Sequence, residues 1–425
     1  MAQQQMSRGE IEKLESIWQA PGFLPTMIAV GAAFGAWALL LPVLPVAVLD
    51  SGGSATLAGM TTGIFMLATV ITQIFTPLML RVVGYRPVMV VSALLLGVPA
   101  LGHMISMEPW AVLLFCAVRG IGFGAITVAE SALVAELVPA RFLGKGTGLL
   151  GVFVGVAQML FLPVGLMIAP QFGYNTVYVV GAVIALTAGV MALRIPALQA
   201  DPVEPRSPDS TPTHTPMWKL VAVPALALAT LSMSYGVITS FLPSAMREMD
   251  GTIGVTLGGI ILSVVGAASM IVRYVVGIRA DQRGEPGATM IPAQCAGCVG
   301  MVIIVVVMLT GASAWWLLVA AILYGGAFGA VQNESLLSMF HRLPRSQLSN
   351  ASAVWNIFFD GGTGLGSTVF GVVVAASGYP GAFAAGALVI IIGIGMTVLD
   401  RALGRHRVTE HNNMATRLKT VHRRK

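Results

Sequence analysis

Twelve long apolar runs constrain this chain more than anything else in it. They fall at 24–49, 57–80, 87–107, 109–137, 146–169, 174–194, 218–243, 255–277, 288–311, 314–338, 349–376 and 381–400. An α-helix needs about 20 residues to cross a hydrocarbon core of about 30 Å, and each run supplies them. A segment in lipid must satisfy its own backbone hydrogen bonds, so long uninterrupted runs predict helices; a barrel would show short alternating segments. Composition points to the same solvent. Hydrophobic residues make up 56% of the chain and charged ones 10%, against about 25% charged in soluble domains. Glycines lie inside the runs, where small residues let helix backbones approach closely. Pro42 and Pro45, in L-L-L-P-V-L-P, predict a bend toward the outer end of the first span.

Basic residues give an orientation. With a cytosolic N-terminus, the inner segments hold Arg8 and Lys13, Arg81 and Arg86, Arg141 and Lys145, then Arg194, Arg206 and Lys219. Further inner segments hold Arg273, Arg279 and Arg283, then Arg342 and Arg345, and the tail beyond residue 400 carries eight more. Of the 24 Lys and Arg, only Arg119, inside a span, and Arg247, outside, depart from this arrangement. Cytoplasmic segments carry such an excess, so both termini are expected in the cytosol of a multi-pass plasma-membrane protein, with a bacterial inner membrane as the expected setting. One missed span would invert every later loop.

Several function classes drop out. The net charge is +6, but it is dispersed into short loops and one tail, with no aromatic-basic surface that would suit nucleic acid. Cys295 and Cys298 form C-A-G-C without partner histidines or further cysteines, which reads as helix packing rather than a metal or redox pair. No phosphate-binding glycine loop suggests ATP-driven transport, and no cofactor is expected. Residues 1–20 are polar and the run behind them is too long for a cleavable signal. The only long internal polar stretch, 195–216, reads as an extended cytosolic linker. The expected division is therefore a 1–22 arm, a 23–194 six-helix bundle, a 195–217 linker, a 218–400 six-helix bundle and a 401–425 basic tail.

The two halves echo each other. F-G-A at 123–125 returns at 328–330, Trp110 at Trp315, and Gly173-Tyr174 with Gly181-Ala182 at Gly378-Tyr379 with Gly386-Ala387, each at an offset of 205 residues. E-S-x-L at 130–133 returns at 334–337, an offset of 204, which predicts a one-residue slip within the helix and makes Glu334 the echo of Glu130. Six helices per half make the repeats parallel. The expected fold is all-α, with two parallel six-helix repeats around a central cavity that rocking opens to either side.

Over nearly its whole length the chain resembles the major facilitator superfamily. The family's loop signature, roughly G-x-x-x-D-R-x-G-R-R, keeps Gly277, Asp281 and Gly284 in the second half. The first half retains Gly84 and Arg86 but has Pro77 and Arg81 at the usual Gly and Asp positions. The resemblance implies gating roles for Gly84, Arg86, Gly277, Asp281 and Gly284, beside the plain reading of these loops as topology. L-L-P-V-L-P and R-G-x-G-F-G resemble the efflux-type branch, where the arginine corresponding to Arg119 is linked to proton coupling. The fifth-helix antiporter signature is only partly present, since Met159 and Leu160 replace its final Gly-Pro.

Ionisable groups inside spans are expensive and mark function by default. Four stand out: Arg119, Glu130, Glu334 and Asp360. Arg119 and Glu130 are eleven residues apart, so they differ by about 20° in direction and about 16 Å in height along one helix. Arg119, always charged, needs a carboxylate, a substrate anion or water. Desolvation disfavours the charged form of a carboxyl and a facing cation favours it, which lets such a pair exchange protons as its surroundings change. Glu130 and Asp360 are the expected proton sites, Arg119 the charge partner, and Glu334 a group for substrate or proton, with helix-holding roles as the alternative for each acid.

Trp37, Gln158, Tyr235, Gln332, Asn333, Trp355 and Asn356 are candidate substrate contacts or, equally, helix contacts and interfacial anchors. His103 reads as a solvated helix-end histidine and Arg273 as a snorkelling one. The expected function is proton-coupled export of a small organic or amphipathic molecule by a carrier, not an enzyme, working as a monomer among membrane lipids. The alternatives are proton-coupled uptake of a sugar, organic acid or other metabolite, and a receptor or lipid-handling protein without coupled flux.

Overall fold

The computed structural model describes residues 8–41, 43–53, 55–199, 216–250, 254–283, 286–313, 315–343 and 347–403. Among them, twelve helices are long and apolar enough to cross a membrane. They are α1 Phe23–Leu40, α2 Ala55–Val82, α3 Tyr85–Gly97, α4 Pro109–Leu137, α5 Leu143–Phe172 and α6 Tyr174–Ala192. The second set is α7 Met217–Met249, α8 Gly254–Arg283, α9 Met290–Thr310, α10 Trp315–Arg342, α11 Leu348–Val374 and α12 Ala376–Ala402. The last two run on through a kink at Gly378, whose φ of +71° a side chain would resist.

The chain forms two compact units: Met1–Val203 with Ser346–Asn356, and Glu204–Arg345 with Ile357–Lys425. Each has its own apolar core. Ala33, Leu39, Leu96, Phe123 and Tyr178 belong to the first, and Leu231, Met301, Tyr324, Phe328 and Phe383 to the second. Leu67, Ile71, Ile74, Phe75 and Leu78 make an exposed stripe on one face of α2, the kind of surface that lipid covers and water does not tolerate.

Proline and glycine set the breaks. The first apolar run divides into α1 and a short helix Val43–Asp50, at the point where L-L-L-P-V-L-P predicts a bend; Pro42 itself, and the side chain of Pro45, lie outside the described residues. Pro99, lacking an N–H, stands at the start of a tighter 3-10 segment, Val98–Met104, that finishes the third span. Gly84 begins α3 with φ +96°, and a Cβ there would meet the Leu198 carbonyl oxygen. That same oxygen accepts from the Tyr85 N–H at 2.9 Å. So 195–199, expected as linker, docks on the first unit with Ile195 fully buried. Residues 200–215 of the expected linker and the tail from 404 lie outside the described residues, and Met217, expected as the last linker residue, begins α7.

Loop charges do more than bias orientation. The Glu12 carboxylate accepts from the Ala140 N–H at 3.2 Å, and Arg141 donates to the Glu12 carbonyl at 3.1 Å and to that of Leu14. The N-terminal arm is thereby fastened to the turn between α4 and α5. Arg81 donates to the Asn350 side chain at 2.9 Å, and Arg342 pairs with Asp400 at 2.8 Å while donating to the Leu220 carbonyl at 3.0 Å.

The repeat extends into the packing. A Cβ on Gly120 or Gly124 of α4 would strike the α2 backbone at Phe65 or Thr69; on Gly325 or Gly329 of α10 it would strike α8 at Val265 or Ser269. The glycines are 205 residues apart and their partners 200 apart; six residues separate α8 from α9 where two separate α2 from α3, and this turn takes up most of the difference. These contacts share geometry rather than side chains: each pair of small residues spaced by four lets two helices touch backbone to backbone.

Candidate functional site

Arg119 lies about 15 Å along α4 from its first residue, about a third of the way along the helix, and is 2% exposed. Its Nε donates to the Leu96 carbonyl at 3.3 Å, and its guanidinium carbon stands 5.6 Å from the centre of the Phe65 ring. Among the described residues no carboxylate pairs with it. It lines a small, partly open pocket with Trp37, Leu40, Leu44, Thr61 and Phe65, whose cavity volume is about 20 Å³, room for about one water. Trp37 stacks on Phe123, with centroids 5.3 Å apart, and Phe34 and Phe65 also pack on Phe123. The Trp37 indole Nε1 is buried with no acceptor among the described residues. A fixed cation and aromatic side chains therefore border one small space.

Glu130, on the same helix, is 1% exposed, and neither carboxylate oxygen has a hydrogen-bond partner among the described residues. Buried polar groups are nearly always paired, so packing alone does not account for it. A turn earlier, Thr127 accepts from the Gln73 side chain on α2 at 3.4 Å. The next residue, Ser131, accepts from Asn356 Nδ2 at 3.3 Å, and the same amide donates to the Ser352 carbonyl at 2.8 Å. Asn356 and the buried Trp355 belong to the first unit, Gln158 is half-buried on α5, and Arg86 is half-buried at the start of α3.

In the second unit Glu334 is equally buried but well supplied: it accepts from the Gly287 N–H and the Thr289 hydroxyl. Both donors lie in the longer α8–α9 turn. The expected one-residue slip is absent. α4 and α10 are continuous and keep the 205-residue register from Gly120 and Gly325 to Thr127 and Gln332. Ser335, not Glu334, therefore takes the place of Glu130, and the two acids point about 100° apart around their helices. Gln332, the counterpart of Thr127, accepts from Arg273 at 2.8 Å. Arg273 is 3% exposed, so it is a buried hydrogen-bonding group and not a snorkelling one.

Tyr235 stacks on Phe328 with centroids 4.5 Å apart, and Phe359 packs on the other side of the cluster at 5.8 Å. Phe123 and Phe328, related by the repeat, thus each centre an aromatic cluster in their own unit. Asn333 and Asp360 are buried, Gly277 is buried on α8, and Asp281 is half-buried at its end; Gly284 lies outside the described residues. His103 is not at a solvated end. It is 2% exposed, with the Phe115 and Tyr178 rings each 5.5 Å away. The sequence reading missed Thr61, Phe65 and Gln73. A threonine pair at 61–62 inside an apolar span was the available signal for the first.

Comparison with known proteins places these features in context. Residues 26–366 match the model of the Major Facilitator Superfamily. The chain is similar in fold to the crystal structure of the human organic anion transporter MFSD10 (TETRAN), with a TM-score of 0.70 and 13% identity, over 89% of this chain and 100% of that one.

Proposed function

The chain belongs to the Major Facilitator Superfamily, and from that premise we propose that it carries a small organic anion inward across the membrane together with protons. It is a multi-pass membrane protein that moves a small molecule through conformational change, and it is not an enzyme. The observation that carries the anionic reading is Arg119, a guanidinium buried within a span, beside a pocket and without a carboxylate partner among the described residues. A cation held out of water needs a counter-charge, and a substrate anion supplies it. The human transporter of similar fold handles organic anions; that likeness supports the fold, while the charge reading rests on Arg119.

Glu130 is the proposed proton-binding acid. A neutral carboxyl is far cheaper to bury than an ionised one, so a carboxyl without fixed partners can exchange a proton when one side opens. Asp360, amid the glycines of α11, is a second acid for the same cycle. Glu334 instead holds the α8–α9 turn. Gly84, Arg86, Gly277 and Asp281 contribute to gating at the ends of α2 and α8, and the proposed substrate contacts are Gln158, Trp355 and Asn356 in the first unit and Tyr235, Gln332 and Asn333 in the second. The repeat and the basic inner loops support alternating access between two parallel six-helix halves, in a plasma membrane with both termini cytosolic.

Export remains the second reading, favoured by L-L-P-V-L-P and R-G-x-G-F-G. Proteoliposomes given a pH gradient of either sign, with a panel of radiolabelled organic anions, separate the two. Anion accumulation under an inward proton gradient is expected, with at least a tenfold loss in Arg119→Gln. Gradient-driven flux only of cations or neutral compounds overturns the anionic reading, and movement only against the proton flow selects export.

A further inference from the structure

At the membrane face where α7 begins and α12 ends, we propose that the second unit binds anionic phospholipid of the adjoining leaflet through a rim made by Trp218, Lys219 and Arg401. That leaflet is the cytosolic one in the orientation proposed above. The lipid site is independent of the cargo.

The rim is assembled around Arg342. Its guanidinium donates to the Leu220 carbonyl of α7 at 3.0 Å and pairs with Asp400 of α12 at 2.8 Å. One side chain of α10 thereby ties the start of α7 to the end of α12 and neutralises the acid there. The residues beside those two contacts in sequence, Lys219 and Arg401, are exposed and pair with no carboxylate among the described residues. Three cations thus meet one acid, and the two outward ones are left for a ligand.

A topology signal asks only for charge. Here the charge is joined to apolar surface. The Lys219 ammonium stands 5.3 Å from the centre of the Trp218 ring, a cation–π contact that holds it against the indole. Trp218 is itself exposed, and so are Val398 and Leu399 just before the end of α12. The two spans begin at Met217 and end at Ala402, so these side chains belong where acyl chains give way to headgroups, the level that indoles favour. A free inorganic anion would use the cations and leave Trp218, Val398 and Leu399 uncovered. A phospholipid meets both needs, with its phosphate toward Lys219 and Arg401 and its chains against the apolar side chains.

The test uses the full chain in nanodiscs of mixed phosphatidylcholine and phosphatidylglycerol, with brominated chains on one lipid or the other. Subtracting the emission of Trp218→Phe isolates the signal of Trp218. At matched mole fraction, brominated phosphatidylglycerol is expected to quench Trp218 about twofold or more over brominated phosphatidylcholine, and added salt should shrink the difference. Lys219→Gln combined with Arg401→Gln should abolish the preference while melting like the wild type, since both side chains are exposed. Equal quenching by the two lipids in the wild type, or an undiminished preference in the folded double variant, overturns the proposal. Inorganic phosphate at matched ionic strength should leave the preference in place; displacement by it identifies an inorganic-anion site and overturns the lipid assignment. The chain beyond Leu403 is also basic, so Arg423→Gln, Arg424→Gln and Lys425→Gln are combined as a control. Loss of the preference in that variant, with none in the rim variant, assigns the lipid to the tail and overturns the rim.

Discussion

Helices α4 and α10 press the same two glycine steps against their neighbours, yet carry different polar groups a turn or two further along. In the first unit the α2–α4 contact is closed by a neutral pair, Gln73 and Thr127 at 3.4 Å; in the second the same place holds Arg273 and Gln332 at 2.8 Å. Beyond it, Glu130 is left without partners among the described residues, whereas Glu334 is fixed by Gly287 and Thr289 of a turn that has four more residues than its counterpart. The backbone contact tolerates almost no change, because a side chain has nowhere to go. The polar positions beside it are free to differ, and there the two units take different roles.

The shared part of the comparison should break most visibly. Gly124→Val and Gly329→Val each drive a side chain into the carbonyl of a packed helix, at a cost of about 3 kcal/mol or more. Both are expected to lose folded, monodisperse protein on size-exclusion chromatography. Tolerance in one unit alone would mean that the glycine steps are not equivalent.

A smaller effect sharpens the divergent part. Gln332→Leu removes the acceptor from a buried guanidinium and should cost about 1–3 kcal/mol. Thr127→Val breaks a longer, neutral contact and should cost about 1 kcal/mol or less. Thermal denaturation of the two variants compares them, and equal losses would contradict the assignment of a charge-assisted contact to the second unit only.

The spans were legible because membrane length and apolarity are properties of the chain itself. The division of the first apolar run into α1 and a short helix could be read from its prolines. The α2–α8 relationship was hidden, since Phe65 and Thr69 share no identity with Val265 and Ser269; what repeats is an exposed stretch of backbone opposite a glycine. Reading Glu334 as the echo of Glu130 followed the letters E-S-x-L, while the helices kept their register and turned the two acids apart. His103 and Arg273 were placed by distance from a helix end, which says nothing about the neighbours that cover them. Arg119 and Trp37 were singled out from the sequence, but their meeting beside Thr61 and Phe65 depends on three helices coming together.

The most direct test compares Glu130→Gln with Glu334→Gln in proteoliposomes loaded with a pH-sensitive dye. Benzenesulfonate suits the assay because it stays anionic and does not leak across lipid as a neutral acid. With an inward proton gradient, the wild type and Glu334→Gln are expected to accumulate the anion and acidify the lumen beyond protein-free vesicles. Glu130→Gln should still exchange labelled for unlabelled anion but neither concentrate it nor carry protons. Gradient-driven accumulation by Glu130→Gln at the wild-type level would contradict the account.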